Sequence, residues 1–191
     1  METSAEFIIS GRRAALSVCL DAEVDVRIWL LLDLEPLDFS LDVGTVLEAA
    51  VVWHSADDLP EDVISRNLPA HTEPTPANGP REYERIAHII DSGISALLPS
   101  NYADLDSINL SGCLVYDRYL SLFNRLVSTV RGRIVRRAKV AQPVRRTSTR
   151  DAGWYESSTF GKAVLIEFAE LAPEGTVIFW RAVQLDTNDV D

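Results

Sequence analysis

The stretch RGRIVRRAKVAQPVRRTSTR, residues 131–150, decides how the C-terminal half of this chain folds, and it dominates the charge pattern. It contains seven arginines, one lysine and no acidic residue, whereas the whole 191-residue chain has a net charge of −11. Residues 1–130 carry −13 and residues 151–191 carry −6, so this basic segment separates two acidic blocks. Attraction between these parts, within one molecule or between neighbouring molecules, is the simplest consequence.

The conformation of the basic segment depends on the spacing of its apolar residues. A helix would align Ile134, Ala138 and Ala141, whereas a strand would alternate Ile134, Ala138 and Val140 with the charged residues. The β-branched residues of the segment favour the strand. We therefore predict a strand with one basic face that ends at Pro143, followed by an exposed loop.

A basic face of this kind predicts a surface that binds acidic groups. Guanidinium groups pair bidentately with carboxylates and phosphates, so acidic protein surfaces and nucleic acid are both possible partners. No aromatic residue interleaves the run, and the acidic blocks repel a polyanion, so protein is the favoured partner. An aromatic pair just after the segment would add an interface anchor. The predicted interaction residues are Arg131, Arg133, Arg136, Arg137, Lys139, Arg145, Arg146, Arg150, Trp154 and Tyr155.

Length and composition restrict the class of protein. At 47% hydrophobic residues the chain can bury a core, and its length favours one domain. Apolar runs such as residues 28–32 are far shorter than the roughly 20 residues that cross a bilayer. The two cysteines, Cys19 and Cys113, lie far apart in apolar segments and predict buried free thiols. The N-terminus lacks the order of a secretory signal, so we expect a cytoplasmic protein or a component of a particle assembled there.

Two β-rich regions are expected to form hairpins. Residues 16–20 alternate like a strand, and residues 26–32 follow with apolar side chains on both faces, which predicts a central strand. At the C-terminus, residues 162–171 and 176–185 flank the turn sequence APEG. Residues 45–55 fit either a strand or a helix, and their β-branched content favours the strand.

Two amphipathic helices are predicted between these regions. Apolar residues recur at helical spacing over residues 83–98, and Pro99 would end that helix. A second apolar stripe begins near Gly112 and has a face wide enough to pack on a sheet. Residues 67–80 contain four prolines and predict an exposed loop before the first helix.

No residue pattern predicts a catalytic, metal or cofactor site. Of the three histidines, His54, His71 and His88, only the last has an acid at a suitable spacing, because Asp91 would lie one helical turn away. Such a pair is typical of an ordinary helix surface. No nucleophile-elbow, dinucleotide or phosphate-loop motif occurs, so we expect no catalytic residue, no metal and no cofactor.

Together these patterns predict a single α+β domain over residues 1–191. Its mainly antiparallel sheet would be built from the N- and C-terminal hairpins, with two amphipathic helices packed on one face, an exposed loop at 67–80 and a basic strand or loop at 131–150. The opposed charges favour a non-enzymatic assembly subunit of a homo-oligomeric or viral-type particle, whose partner is protein, either itself or another subunit, and not a membrane. The alternatives are a nucleic-acid-binding or regulatory protein acting through residues 131–150, and a small enzyme whose site appears only after folding.

Overall fold

The computed structural model of the chain describes residues 6–9, 12–15, 27–37, 39–57, 59–77, 79–80, 82–99, 102, 106–122, 128–148 and 155–188. Within these ranges the strands are β1 (Glu6–Ile9), β2 (Arg12–Ala15), β3 (Arg27–Leu32), β4 (Val46–Ser55), β5 (Ser65–Pro74), β6 (Tyr83–Ile89), β7 (Ser95–Pro99), β8 (Ser107–Tyr116), β9 (Thr129–Ser148), β10 (Tyr155–Thr159), β11 (Val164–Glu167) and β12 (Thr176–Asp186). The same ranges include two short 3-10 turns, Glu61–Val63 and Arg118–Leu122. Among the described strands, β1 and β2 pair with each other, and the others join one mixed sheet.

Strand β9, which contains residues 131–148 of the basic segment, pairs with more strands of this sheet than a strand usually does. Its residue Arg133 lies opposite both Val46 of β4 and Asp186 of β12, so these two strands occupy its opposite edges. Further along, Ala141 likewise lies between β11 and β12. The end of β9 pairs with β10. A single twenty-residue strand therefore has four antiparallel neighbours.

The strand pairings close two five-strand rings. Strands β9, β12, β3, β8 and β4 pair in succession, and β4 pairs back to β9. Strands β8, β5, β6, β7 and β4 form the second circuit, so the β4–β8 pair belongs to both rings. The β3–β8 and β4–β7 pairs are parallel and the other pairs are antiparallel. Closure satisfies the backbone groups that an open sheet edge would expose.

Gly112 lies where the two rings meet. It is opposite Ser55 on β4 and Ser65 on β5, because β8 passes from one ring into the other at this point. A Cβ atom at this position would lie 2.0 Å from the carbonyl oxygen of His54, far inside van der Waals contact. The close crossing of β4 and β8 therefore requires glycine.

The principal core fills both rings without interruption. Alternate residues of β4 enter it, namely Leu47, Ala49, Val51 and Trp53, as the period of a strand requires. Two smaller clusters cover the outer faces. The second lies around Leu31 and Cys113 beneath the segment 59–64, and the third lies around Ile86 and Leu97 beneath Leu120. Each fully buried large aliphatic side chain contributes about 1.5–3 kcal/mol.

The first predicted amphipathic helix is wrong, because its residues form strands β6 and β7. A tight turn joins them, with Asp91 at φ 58° and Gly93 at φ 66° in left-handed conformations. The helical spacing arose because both faces of β6 are buried. Ile86 packs in the third cluster while the adjacent Ala87 packs in the principal core. Apolar residues on both faces of a strand can imitate the period of a helix.

The second predicted helix is also wrong, since the stripe beginning near Gly112 belongs to β8 and to the 3-10 turn Arg118–Leu122. Residues 123–127 lie outside the described residues. The expected α+β class is therefore incorrect, because the described ranges hold a mainly β structure with no helix of seven or more residues. No helix among them is long and apolar enough to cross a bilayer.

The predicted C-terminal hairpin is wrong in its pairing. Both of its arms are strands, but β11 and β12 flank β9, and Ala141 lies opposite Val164 on one side and Ile178 on the other. The predicted N-terminal hairpin is also wrong in its pairing, because β3 pairs with β12 at one edge and with β8 at the other. Residues 16–20 lie outside the described residues.

Several strand predictions are confirmed. Strand β3 is central and buried on both faces, with Trp29 and Leu31 in the second cluster and Leu30 in the principal core. Residues 46–55 form β4, and the basic segment is a strand up to residue 148. The predicted loop at 67–80 is only partly correct, because β5 extends to Pro74.

Proline is tolerated inside β5 for a local reason. Pro69 cannot donate a backbone hydrogen bond, but its carbonyl oxygen still accepts one from the Ile90 amide at 3.0 Å. Only one ladder hydrogen bond is lost at this position. The proline content of residues 67–80 therefore did not exclude a strand.

Candidate interaction surface

The basic segment changes face part-way along β9. Consecutive residues of β12 lie opposite Ile134 and Arg136, so Val135 is an extra residue on β9 and forms a bulge. Ile134 packs in the principal core before the bulge, whereas Ala138 packs in the second cluster after it. An extra residue reverses the alternation of a strand, and this is why two even-numbered side chains point in opposite directions.

The bulge corrects the prediction of one continuous basic face. Arg131 and Arg133 precede it, and Arg137 and Lys139 follow it, so the two pairs lie on opposite faces of β9. Arg133 donates a hydrogen bond to the carbonyl oxygen of Gly44 at 2.9 Å, and Arg131 is exposed opposite Glu48 on β4. The basic residues therefore do not form a single row.

The arginines just after the bulge are paired within the chain. Arg136 forms an ion pair with Glu167 of β11, and its guanidinium carbon lies 5.6 Å from the centre of the Trp29 ring. Arg137 donates a hydrogen bond to Asp42 at 2.9 Å. Half-exposed pairs of this kind stabilise a fold by about 0–1 kcal/mol each.

The ring of Phe168, just after β11, contacts two of the cationic groups that follow the bulge. The guanidinium of Arg137 lies 4.5 Å from the centre of the Phe168 ring, and the ammonium of Lys139 lies 5.6 Å from it. Lys139 also donates a hydrogen bond to the Glu170 carbonyl oxygen at 2.6 Å. Cation–π contacts at exposed sites contribute about 0.5–1 kcal/mol. The basic residues from 136 to 139 therefore serve the fold.

The chain after Pro143 forms a two-stranded arm, defined here as residues 144–148 and 155–159. The predicted exposed loop is wrong at its start, because β9 continues to Ser148 and pairs with β10. In this register Arg145 lies opposite Ser158 and Arg146 lies opposite Ser157. The three core clusters take none of the described side chains of the arm.

Arg145 is the best-defined cation of the arm. It is exposed, its guanidinium carbon lies 5.5 Å from the centre of the Phe160 ring, and no carboxylate of the described residues pairs with it. Tyr155 begins β10 opposite Ser148. The remaining predicted interaction residues there, Arg150 and Trp154, lie outside the described residues.

Exposed apolar side chains surround the base of the arm. Phe160 is 50% exposed, and its amide donates to the Pro143 carbonyl oxygen at 3.1 Å. Val164, on β11, and Phe179, at an irregularity in β12, are each 42% exposed near the same part of β9. Apolar residues beside an unpaired arginine are typical of a protein-binding surface.

The arm and the neighbouring β11 offer strand edges that the rings do not. Within the described residues, β10 and β11 each pair with β9 alone, whereas every strand of the two rings has neighbours on both sides. An exposed strand edge can accept a further strand from a partner. The open edges and the unpaired arginine therefore lie on the same part of the molecule.

The opposite end of the sheet is acidic. Strands β5, β6 and β7 end the strand order that β10 begins. Residues 57–117, which contain these strands and β8, have eleven acidic residues and three arginines, a net charge of −8. The chain thus carries a basic arm at one end of its strand order, and an acidic ring, defined here as residues 57–117, includes the strands at the other end.

The aromatic partners of the arginines were not predicted from the sequence. Trp29, Phe160 and Phe168 come from other strands and loops, and no pattern within the basic segment could have indicated them. No group of three or more His, Cys, Asp or Glu among the described side chains could hold a metal ion. No protein-family model, curated protein or solved structure matches the chain.

Proposed function

We propose that this protein is an assembly subunit, and that its arm binds the acidic ring of a second copy of the same chain. The observation that supports this proposal is the separation of charge along the strand order, with Arg145 unpaired at one end and a net −8 at the other. The arginines at 136 and 137 already have carboxylate partners, whereas Arg145 of the arm has none among the described residues.

Such a contact joins two different surfaces of the same molecule. Contacts of this type repeat from copy to copy, and they close into a ring or continue as a filament, depending on the rotation between subunits. Charge would set the encounter and its orientation, while the apolar residues at the base of the arm would supply buried area. We propose that the assembly forms in the cytoplasm, as a homo-oligomer or as part of a particle.

Removal of the arm's positive charge tests this proposal. We expect the double variant Arg145→Ala and Arg146→Ala to self-associate at least roughly tenfold more weakly than the wild type, because interface arginines typically contribute about 1 kcal/mol or more each. Sedimentation velocity over a concentration series at about 50 mM salt would measure it, since screening is weak at that ionic strength. The control variant Arg27→Ala and Arg131→Ala removes the same charge from two exposed arginines that lie outside the arm and outside residues 57–117.

Two results would contradict the proposal. Equal weakening in the arm variant and in the control would show that total charge, and not the arm, drives association. A monomeric wild type that binds a short DNA duplex, and loses that binding in the arm variant, would favour the nucleic-acid alternative.

A further inference from the structure

Three side chains on neighbouring strands form a hydrogen-bonded relay. His88 of β6 lies with its Nδ1 atom 2.9 Å from the hydroxyl oxygen of Ser95 on β7. Its Nε2 atom lies 3.2 Å from a carboxylate oxygen of Glu73 on β5. Ser95, His88 and Glu73 thus occupy the order hydroxyl, imidazole and carboxylate across the outer face of the second ring.

Strand register holds the relay in place. The amide of Ile89 donates a hydrogen bond to the carbonyl oxygen of Ile94. The neighbouring pair, His88 and Ser95, is directly opposed, and it is therefore a pair without backbone hydrogen bonds between its two residues. Side chains of such pairs approach more closely than those of hydrogen-bonded pairs. Ile86, on the same face two residues from His88, is fully buried in the third cluster and anchors this part of β6.

The proton positions follow from the partners. A carboxylate accepts hydrogen bonds, so Glu73 holds the proton of the imidazole on Nε2. The unprotonated Nδ1 is then the acceptor for the Ser95 hydroxyl. A carboxylate that fixes the tautomer and orientation of a histidine, which in turn accepts a proton from serine, is the arrangement that makes serine nucleophilic.

An open depression adjoins the relay on the same face. It has a volume of about 330 Å³ and is lined by Pro69, Ala70, Ile90, Ser107, Ile108 and Asn109. Ile90 directly follows β6, two residues after His88, and its amide donates a hydrogen bond to the carbonyl oxygen of Pro69 at 3.0 Å. His71 bridges the two features, because it lies opposite His88 on one side and Ser107 on the other. The relay side chains do not line the depression themselves, so a substrate would have to extend past His71 or Ile90 to reach Ser95.

We propose that Ser95 is a nucleophile activated by His88 and Glu73, and that this face hydrolyses small carboxylic esters. This activity differs from assembly, although the relay lies on the acidic ring that the arm is proposed to bind, and it goes beyond the expectation of a non-enzymatic subunit. Pro69 and Ile90, with Ser107 and Asn109, would contact the part of the ester that is remote from the reacting carbonyl.

The proposed reaction needs no cofactor. The Ser95 oxygen forms a bond to the ester carbonyl carbon while its proton passes to Nδ1 of His88. The bond between that carbon and the alcohol oxygen then breaks, and the alcohol leaves with the same proton. Water attacks the acyl-serine with His88 again as the base, which releases the carboxylic acid and restores the hydroxyl. The sum is ester plus water to acid plus alcohol, without oxidation or reduction.

Covalent labelling of the full chain tests the proposal. A fluorophosphonate probe should form one phosphorus–oxygen bond at Ser95 with loss of fluoride, detected by intact mass and peptide mapping. Ser95→Ala should abolish the label, and His88→Gln should slow it about 100-fold or more, as loss of a general base does. Ser65→Ala, on the same strand as Glu73, is the matched control and should label like the wild type.

A second measurement separates reactivity from folding. p-Nitrophenyl acetate should be hydrolysed with a burst in the wild type and without one in Ser95→Ala, while both retain the same thermal midpoint. Glu73→Gln should slow labelling with an unchanged midpoint, because it keeps the shape of the side chain but not its charge. Absence of label at Ser95, or labelling at an equal rate in His88→Gln, would overturn the proposal.

Discussion

At the scale of single residues, the surroundings of Cys113 illustrate how burial controls chemistry. This thiol is free and fully buried in the second cluster, beside apolar side chains of neighbouring strands. Burial disfavours the thiolate and raises the pKa of Cys113 from 9.0 to about 12. The sequence-based prediction of a buried free thiol is therefore confirmed for Cys113, while Cys19 lies outside the described residues.

Cys113 should be almost inert in the folded protein. In a Cys19→Ser background, we expect a thiol-specific disulfide reagent at pH 8 to modify Cys113 at least roughly 100-fold more slowly than in denaturant, because the thiolate is the reactive form. Absorbance of the released chromophore measures both rates. Similar rates with and without denaturant would contradict the described burial.

The raised pKa of Cys113 also makes stability depend on pH. Above pH 9 the unfolded chain loses the proton of the Cys113 thiol while the folded chain keeps it, so this thiol lowers stability progressively between pH 9 and about 12.

His88 shows why the relay could not be predicted. The helical interpretation placed it beside Asp91, whereas the strand places it opposite Ser95 and next to Glu73. The DSG sequence at residues 91–93 is a turn signal that would have favoured a hairpin, and a hairpin would have put the two side chains together. The contact with Glu73 needed the additional register of β5 against β6, which no local pattern specifies.

At the scale of elements, the joint between the two rings is the most demanding position. Strand β8 can serve both rings only because it crosses β4 closely at Gly112, where a Cβ would lie 2.0 Å from a backbone oxygen and 2.9 Å from Trp53. A backbone oxygen in a closed ring cannot move aside without breaking neighbouring pairs. This crossing is thus the point where a small change should have the largest effect.

Substitution of Gly112 by alanine should therefore be severe. We expect Gly112→Ala to lower the free energy of unfolding by more than about 3 kcal/mol, because the added methyl group overpacks backbone against backbone. The control Gly175→Ala meets open space at φ 75° and should cost only about 1–2 kcal/mol from backbone strain. Urea denaturation followed by tryptophan fluorescence compares the two. Equal losses for both variants would show that the crossing is not tight.

Element types were predictable where one physical signal dominated. Strand β3 is apolar on both faces and was predicted as a central strand, whereas the residues of β4 fitted either element and only their β-branched content favoured the strand. Residues 83–98 were wrongly predicted as a helix, because the two buried faces of their strands gave the apolar residues a helical spacing. The bulge at Val135 could not be predicted from the sequence either, because it depends on how β9 is paired with β12.

At the scale of the whole molecule, the fold depends on pairings between distant parts of the chain. Strand β9 pairs with β4, about eighty residues earlier, and with β12 near the C-terminus. Nothing in the local sequence specifies such partners, and for this reason the closed rings were not predicted. The uneven charge distribution was visible in the sequence, and the strand order adds that its extremes lie at opposite ends.

This separation of charge leads to the central claim, that the arm of one copy binds the acidic ring of the next. The most direct test is the mass of the wild-type protein, measured by light scattering during size-exclusion chromatography at about 50 mM and about 1 M salt. Screening shortens from about 14 Å to about 3 Å over this range, so we expect oligomers at low salt and a substantially smaller mass at high salt. A mass of one subunit, 21.2 kDa, at both salt concentrations would contradict the account.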